Sequence, residues 1–245
     1  MGRTAWIATV ALAVLPGAAA AGWFVDVEAG GAFPGYNDVQ VPNDPSGTRF
    51  SLVEALDVPP VPVVRIRAGF AAGRHEISAF AAPLRLEGEG TLATDVAFDG
   101  SLFPAGTAVE GLYRFDSYRL TWRYRLYESP RLAFSAGLTA KIRDAEIRLE
   151  GGGVTAAETN TGFVPLASFS LAWTPDGRWG ALLDGDALVG PVGRAEDVFL
   201  GATFRAAETL RLRLGYRMVE GGADVESVYN FTLVSFLTMG ATLEL

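Results

Sequence analysis

Cysteine is absent from this 245-residue chain, and histidine occurs once. Without cysteine there is no disulfide framework, no thiolate nucleophile and no acylated cysteine behind an export signal. A lone histidine, His75, leaves most acid–base schemes without positioned partners, and no zinc-ligand spacing or phosphate loop accompanies it. Long apolar runs are missing too. Beyond residue 21 nothing approaches the roughly 18 apolar residues of a spanning helix, although 49% of the chain is hydrophobic. The apolar residues are therefore dispersed, and their spacing is the main signal. A formal charge of −8 argues against nucleic acid as a partner.

The start of the chain has its own pattern. Met1-Gly2-Arg3-Thr4 is a short basic opening, Ala5 to Leu15 is apolar, Pro16-Gly17 breaks the run, and Ala18 to Ala21 supplies an Ala-x-Ala site. This predicts a Sec-type signal peptide over residues 1–21, cut after Ala20 or Ala21, and a single β domain over residues 22–245.

Within that domain the apolar residues alternate. Tyr118, Leu120, Trp122, Tyr124 and Leu126 share one parity; Arg119, Thr121, Arg123 and Arg125 share the other. In a strand these are opposite faces. Leu210 to Met218 repeats the scheme with Arg211, Arg213 and Arg217, and Val64 to Ala68 repeats it with Arg65 and Arg67. Strands that are apolar on one face and cationic on the other fit a lipid-facing wall around a polar lumen. Two segments depart: Ala82-Pro83 interrupts His75 to Glu89, and the alternation shifts phase across Lys141 to Glu150.

Short turns are expected at Ala71–Arg74, Glu128–Arg131, Thr174–Arg178 and Ala206–Thr209, and longer Gly/Pro-rich loops at 35–62, 90–107 and 151–161. That asymmetry predicts an all-β fold: a closed antiparallel up-and-down transmembrane β-barrel of about ten strands, with eight as the alternative. Under this topology Trp23, Trp122, Tyr124, Trp173 and Trp179 gather towards the short-turn end, as a headgroup-level girdle would. The final segment, Thr238 to Leu245, alternates throughout and resembles the C-terminal assembly signal of bacterial outer-membrane barrels. Gly240, Leu243 and Leu245 hold its key positions, with leucines where aromatics are usual. Phe115 to Tyr124, Arg143 to Ile147, Gly193 to Asp197 and Tyr216 to Asp224 resemble segments of an uncharacterised family of small outer-membrane barrels. The resemblance implies the fold and no activity. The signal peptide, the alternating strands and the closing segment together predict an outer-membrane protein of a Gram-negative-type bacterium, with lipid, lipopolysaccharide and the barrel-assembly machinery as partners.

A lumen this narrow should be filled by its own side chains. The inward parity offers Arg65, Arg67, Arg119, Arg123, Arg125, Lys141, Arg143, Arg211, Arg213 and Arg217, against the acids Asp26, Glu28, Asp184 and Asp186. The expectation is an Arg–carboxylate network plugging a monomeric barrel of structural or binding role, with no cofactor, metal or catalytic residue. The mixed Arg and Asp/Glu segments at the outer strand ends are expected to anchor loops. A narrow passage for anionic solutes is one alternative, and an enzyme acting on lipid or peptide is another.

Overall fold

The structure, a computed structural model, describes residues 22–245. The expected signal peptide lies outside the described residues. The chain opens with β1 (Gly22–Gln40), then a short β2 (Phe50–Ser51) and one helical turn, α1 (Leu52–Ala55), before β3 (Val61–Ala72) returns. β4 (His75–Ala82) and β5 (Arg85–Thr91) follow, then a small hairpin of β6 (Val96–Phe98) and β7 (Ser101–Phe103). The long strands complete the chain: β8 (Ala108–Glu128), β9 (Leu132–Gly151), β10 (Val154–Trp173), β11 (Trp179–Gly190), β12 (Gly193–Arg205), β13 (Leu210–Val225) and β14 (Val228–Glu244).

Neighbouring strands pair antiparallel, and β14 pairs with β1 from Phe24↔Glu244 to Gln40↔Tyr229, so the sheet closes. β4 and β5 are two halves of one wall strand, both paired with β8. The wall thus has ten strands rather than eight. Pro83 causes the break, because it cannot donate to the ladder. Phe115 N–H donates to Leu84 O at 2.8 Å across the gap, which keeps the two halves in line.

All four short turns fall where the sequence predicts. Gly73 and Gly177 take φ of +60° and +76°, and Asp176 caps its turn by accepting from the Arg178 and Trp179 N–H groups at 2.9 and 2.7 Å. The opposite end corrects the expectation. Residues 151–161 are not a loop: β9 and β10 continue through them and turn tightly at Gly152-Gly153, whose φ values are +60° and +80°. Alternation had weakened there because the strands have left the bilayer. β8, β9 and β10 run 21, 20 and 20 residues, about twice the roughly 9–11 that a tilted strand needs to cross.

The outer surface divides at the same level. Near the short turns it carries exposed Trp23, Val25, Val64, Ile66, Leu120, Leu138, Leu214 and Met239. Higher up it carries ion pairs of Arg114 with Asp116, Asp144 and Glu146. Glu89, Glu110 and Glu150 stand directly opposite one another across β5, β8 and β9. The phase shift over Lys141 to Glu150 has its cause in the interior. β9 shows no register slip there, and Thr139, Lys141, Ile147 and Leu149 all point inward. What changes is the interior, which passes from ionic to apolar.

One junction of the wall is short. β10 and β11 pair only from Trp173↔Ala181 to Ala167↔Ala187. Above that level β10 keeps β9 as its neighbour and, among the described residues, pairs with no strand on its other side, while Leu188 to Gly190 of β11 pair only with β12.

Candidate functional site

The lumen is closed by two layers of different chemistry. The lower, mid-barrel layer follows from alternation: on β1, β3, β8, β11, β12 and β13 the inward residues are charged. Asp197 of β12 is its hub. It accepts from Arg119 at 2.5 Å, from Arg217 at 2.6 Å and from Arg65, and it is only 3% exposed. Asp186 of β11 stands directly opposite Asp197. Two facing buried carboxylates repel, and Arg119 answers this by forking across them, one Nη on Asp197 and the other on Asp186 at 2.8 Å. Thr139 Oγ1 donates to the remaining Asp186 oxygen at 2.8 Å.

Asp184 pairs with Arg123 at 2.5 Å and Arg67 at 3.2 Å, and Arg123 Nε donates to Ser168 Oγ at 2.9 Å. On the seam side, Glu28 takes Arg217 at 2.7 Å and Arg213 at 2.9 Å, while Asp26 takes Arg213 and the Thr242 hydroxyl. Phe80 lies between guanidinium groups of Arg65, Arg67 and Arg119, each about 5 Å from its ring centre. Such contacts let cations crowd a dry space. Among the described residues, Arg143 Nε and Thr238 Oγ1 are the buried side-chain polar atoms left without a partner.

Several expected members are placed elsewhere. Arg125 and Arg211 do not join the layer; they lie half-exposed at the short-turn rim, paired with Glu128 and Glu244. The barrel widens to solvent there, so inward parity no longer implies burial. Lys141 and Arg143 point inward but meet no carboxylate among the described residues. Lys141 rests on the Phe115 ring at 4.7 Å, and Arg143 donates to Asn160. Asp197 is the residue that sequence reasoning missed. It follows a run of mixed charge, Arg194-Ala195-Glu196, and precedes Val198-Phe199-Leu200, which is apolar on both parities and so does not mark a face.

The upper layer was also missed. Leu52 and Leu56 beside α1, and Phe98 and Phe103 of the β6–β7 hairpin, drop between the walls onto Val39, Val109, Leu149 and Val234. The two long loops interlock as they do so: Thr48 N–H donates to Ala97 O at 2.8 Å, and Asp99 N–H to Val41 O at 2.9 Å. A signal was available. Phe98-Asp99-Gly100-Ser101 is an Asp-Gly hairpin flanked by apolar residues, and Asp99 and Gly100 take the positive φ such a turn requires, +47° and +73°.

Below the ionic layer a cavity of about 390 Å³, lined by Arg67, Arg123, Asp184, Arg213 and Arg217 among others, opens towards the short-turn side. Its roof is the network itself. Trp23, Trp122, Trp173 and Trp179 sit exposed on the outer face at that same end, and Tyr124 packs beside His75. His75 is on this outer face also, where its Nδ1 accepts from Trp122 Nε1 at 3.2 Å. Of the closing segment, Leu243 and Leu245 face outward, while Gly240 lies under the Arg213 guanidinium.

A closed, even-stranded antiparallel wall with an apolar outer belt and a charged interior defines an outer-membrane β-barrel. Among solved structures, the outer membrane protease OmpT of Escherichia coli superposes with a TM-score of 0.58 at 8% identity, over 91% of this chain and 97% of that one. At that identity the likeness speaks to the fold alone. Neisserial surface protein A (NspA) aligns over 93% of this chain and all of its own at 14% identity, with a TM-score of 0.33. The toluene transporter TodX of Pseudomonas putida aligns over 91% of this chain and 89% of its own at 9% identity, with a TM-score of 0.34. No known family profile and no curated protein sequence matches the chain.

Proposed function

We propose that this chain is exported by its N-terminal signal, resides in the outer membrane as a barrel that does not conduct, and serves a structural or binding role through its surface. The observation that carries this reading is the Asp197-centred ionic layer, which fills the cross-section with paired charge. The apolar layer above it is a second seal. Lipid and lipopolysaccharide are its neighbours, and the barrel-assembly machinery handles it during insertion.

The other readings find less support. A passage for anions would have to break the layer, and the cavity beneath it ends there. A hydrolase leaning on histidine has only His75, held against Trp122 on the lipid-facing side of the short-turn end. The test is electrical. Reconstituted in a planar bilayer, the purified barrel is expected to show no stable open steps; large anion-selective steps would establish the channel instead. Recovery of the mature protein in a detergent-free soluble fraction would overturn the location.

A further inference from the structure

Two inward cations have no carboxylate partner among the described residues, and both lie beside the gap in the wall. Lys141 and Arg143 of β9 stand directly opposite Val164 and Gly162 of β10. Both of those β10 residues belong to the stretch that has lost β11. Lys141 is only 4% exposed and has no carboxylate partner among the described residues. An isolated buried ammonium is unfavourable unless a counter-charge reaches it. Arg143 lies across Gly162 towards the free edge: a Cβ at that glycine would sit 3.2 Å from its Nη2. Its Nε is buried and unpaired.

The gap has the right walls for one kind of occupant. Phe163 on β10 is 67% exposed and Val189 on β11 is 72% exposed, with Leu188 beside it. The β10 backbone edge beside them, from Gly162 to Leu166, lacks a partner strand among the described residues. In lipid such groups need an acceptor or donor that water cannot supply. Pro165 falls within this edge, where a missing N–H costs no ladder bond to β11.

We infer that the notch between β10 and β11 binds a phosphate oxyanion on Lys141 and Arg143, delivered as the headgroup of an anionic outer-leaflet lipid whose acyl chains lie against Phe163, Leu188 and Val189. The inference rests on the outer-membrane reading above. Headgroup oxygens accept from the two cations and from free N–H groups of β10, so one ligand satisfies both the cations and the open edge.

The test uses the detergent-purified barrel with three probes: phosphatidylglycerol, phosphatidylcholine and inorganic phosphate. Native mass spectrometry follows retained lipid, and thermal melting follows stabilisation. The barrel should keep phosphatidylglycerol through delipidation and melt higher with it, with no such effect from phosphatidylcholine. A Lys141→Met/Arg143→Gln double variant should retain about tenfold less phosphatidylglycerol or lower still, yet melt without lipid no lower than the parent, since it breaks no ion pair and the new side-chain amide can still donate to Asn160. Stabilisation by inorganic phosphate without lipid retention would keep the oxyanion site and overturn the lipid as its source. Equal retention of both lipids by the parent, or undiminished phosphatidylglycerol on the variant, would overturn the site. Should the double variant fail to fold, Lys141→Met alone is read the same way, and the two-lipid comparison on the parent stands without it. A barrel that fractionates with outer membranes but shows no lipid preference would defeat this inference and leave the location intact.

Discussion

Asp197 receives three guanidinium groups, and its removal leaves Arg119 with Asp186 alone, Arg217 with Glu28 alone and Arg65 with only a 3.7 Å approach to Glu28, in a space that water does not reach. Asp197→Ala should therefore cost on the order of 3–5 kcal/mol and lower the detergent-resistant melting transition, followed by heat-modifiable gel mobility or circular dichroism. Asp184→Ala, which frees Arg123 and Arg67, should do the same. Asp44→Ala should leave melting unchanged, because Asp44 only organises its own loop through Ser46. Asp184 was legible in the sequence because Leu182-Leu183 and its neighbours fix the strand, and Asp197 was not because charges of both signs precede it and apolar residues of both parities follow it. Above the bilayer, a hydrogen bond from Arg114 holds the Asp144 carboxyl below its ordinary 3.8, outweighing the upward push of desolvation. A depressed folded value means that the stability this pair adds is complete above 3.8 and is lost as pH falls below it. An NMR titration should place the Asp144 midpoint below 3.8, and Arg114→Gln should move it back up.

At the scale of elements, strands were legible wherever one face met lipid, since lipid enforces strict alternation. That is why β8, β13 and the short turns read correctly. Legibility failed above the membrane, where the outer face meets water and the inner face meets either charge or the apolar loops. Gly-rich residues 151–161 looked like a loop on composition, although only Gly152 and Gly153 turn. β14 shows the reverse case, a strand whose smallest residue is its most constrained. A Cβ at Gly240 would come 2.6 Å from Arg213 Cζ. Gly240→Val should push Arg213 off Asp26 and Glu28 and destabilise the barrel by about 1–3 kcal/mol, as overpacking does. Gly22→Val, with open space at the Cβ position, is the control.

For the whole molecule, the two layers make separable predictions. Replacing residues 93–106 with a short flexible linker removes Phe98 and Phe103 and opens the apolar layer, but leaves every ion pair of the lower layer in place. Such a variant should remain non-conducting in a planar bilayer while melting at a lower temperature. Steady current from it would assign the seal to the loops and demote the ionic layer to packing.

The seam between β14 and β1 carries one more consequence, for the order of events during assembly. Arg213 and Arg217 of β13 reach over β14 to Asp26 and Glu28 of β1, partners 185 to 189 residues away along the chain. Until the two ends meet, Arg213 has no carboxylate partner among the described residues and Arg217 has only Asp197 of the neighbouring β12. A closure slipped by one residue would turn Asp26 and Glu28 outward into hydrocarbon. The wrong register is thus not a shallow trap but a charged, unstable state that reopens. The seam checks its own alignment, and the last bond of the barrel to form is the one that verifies the rest.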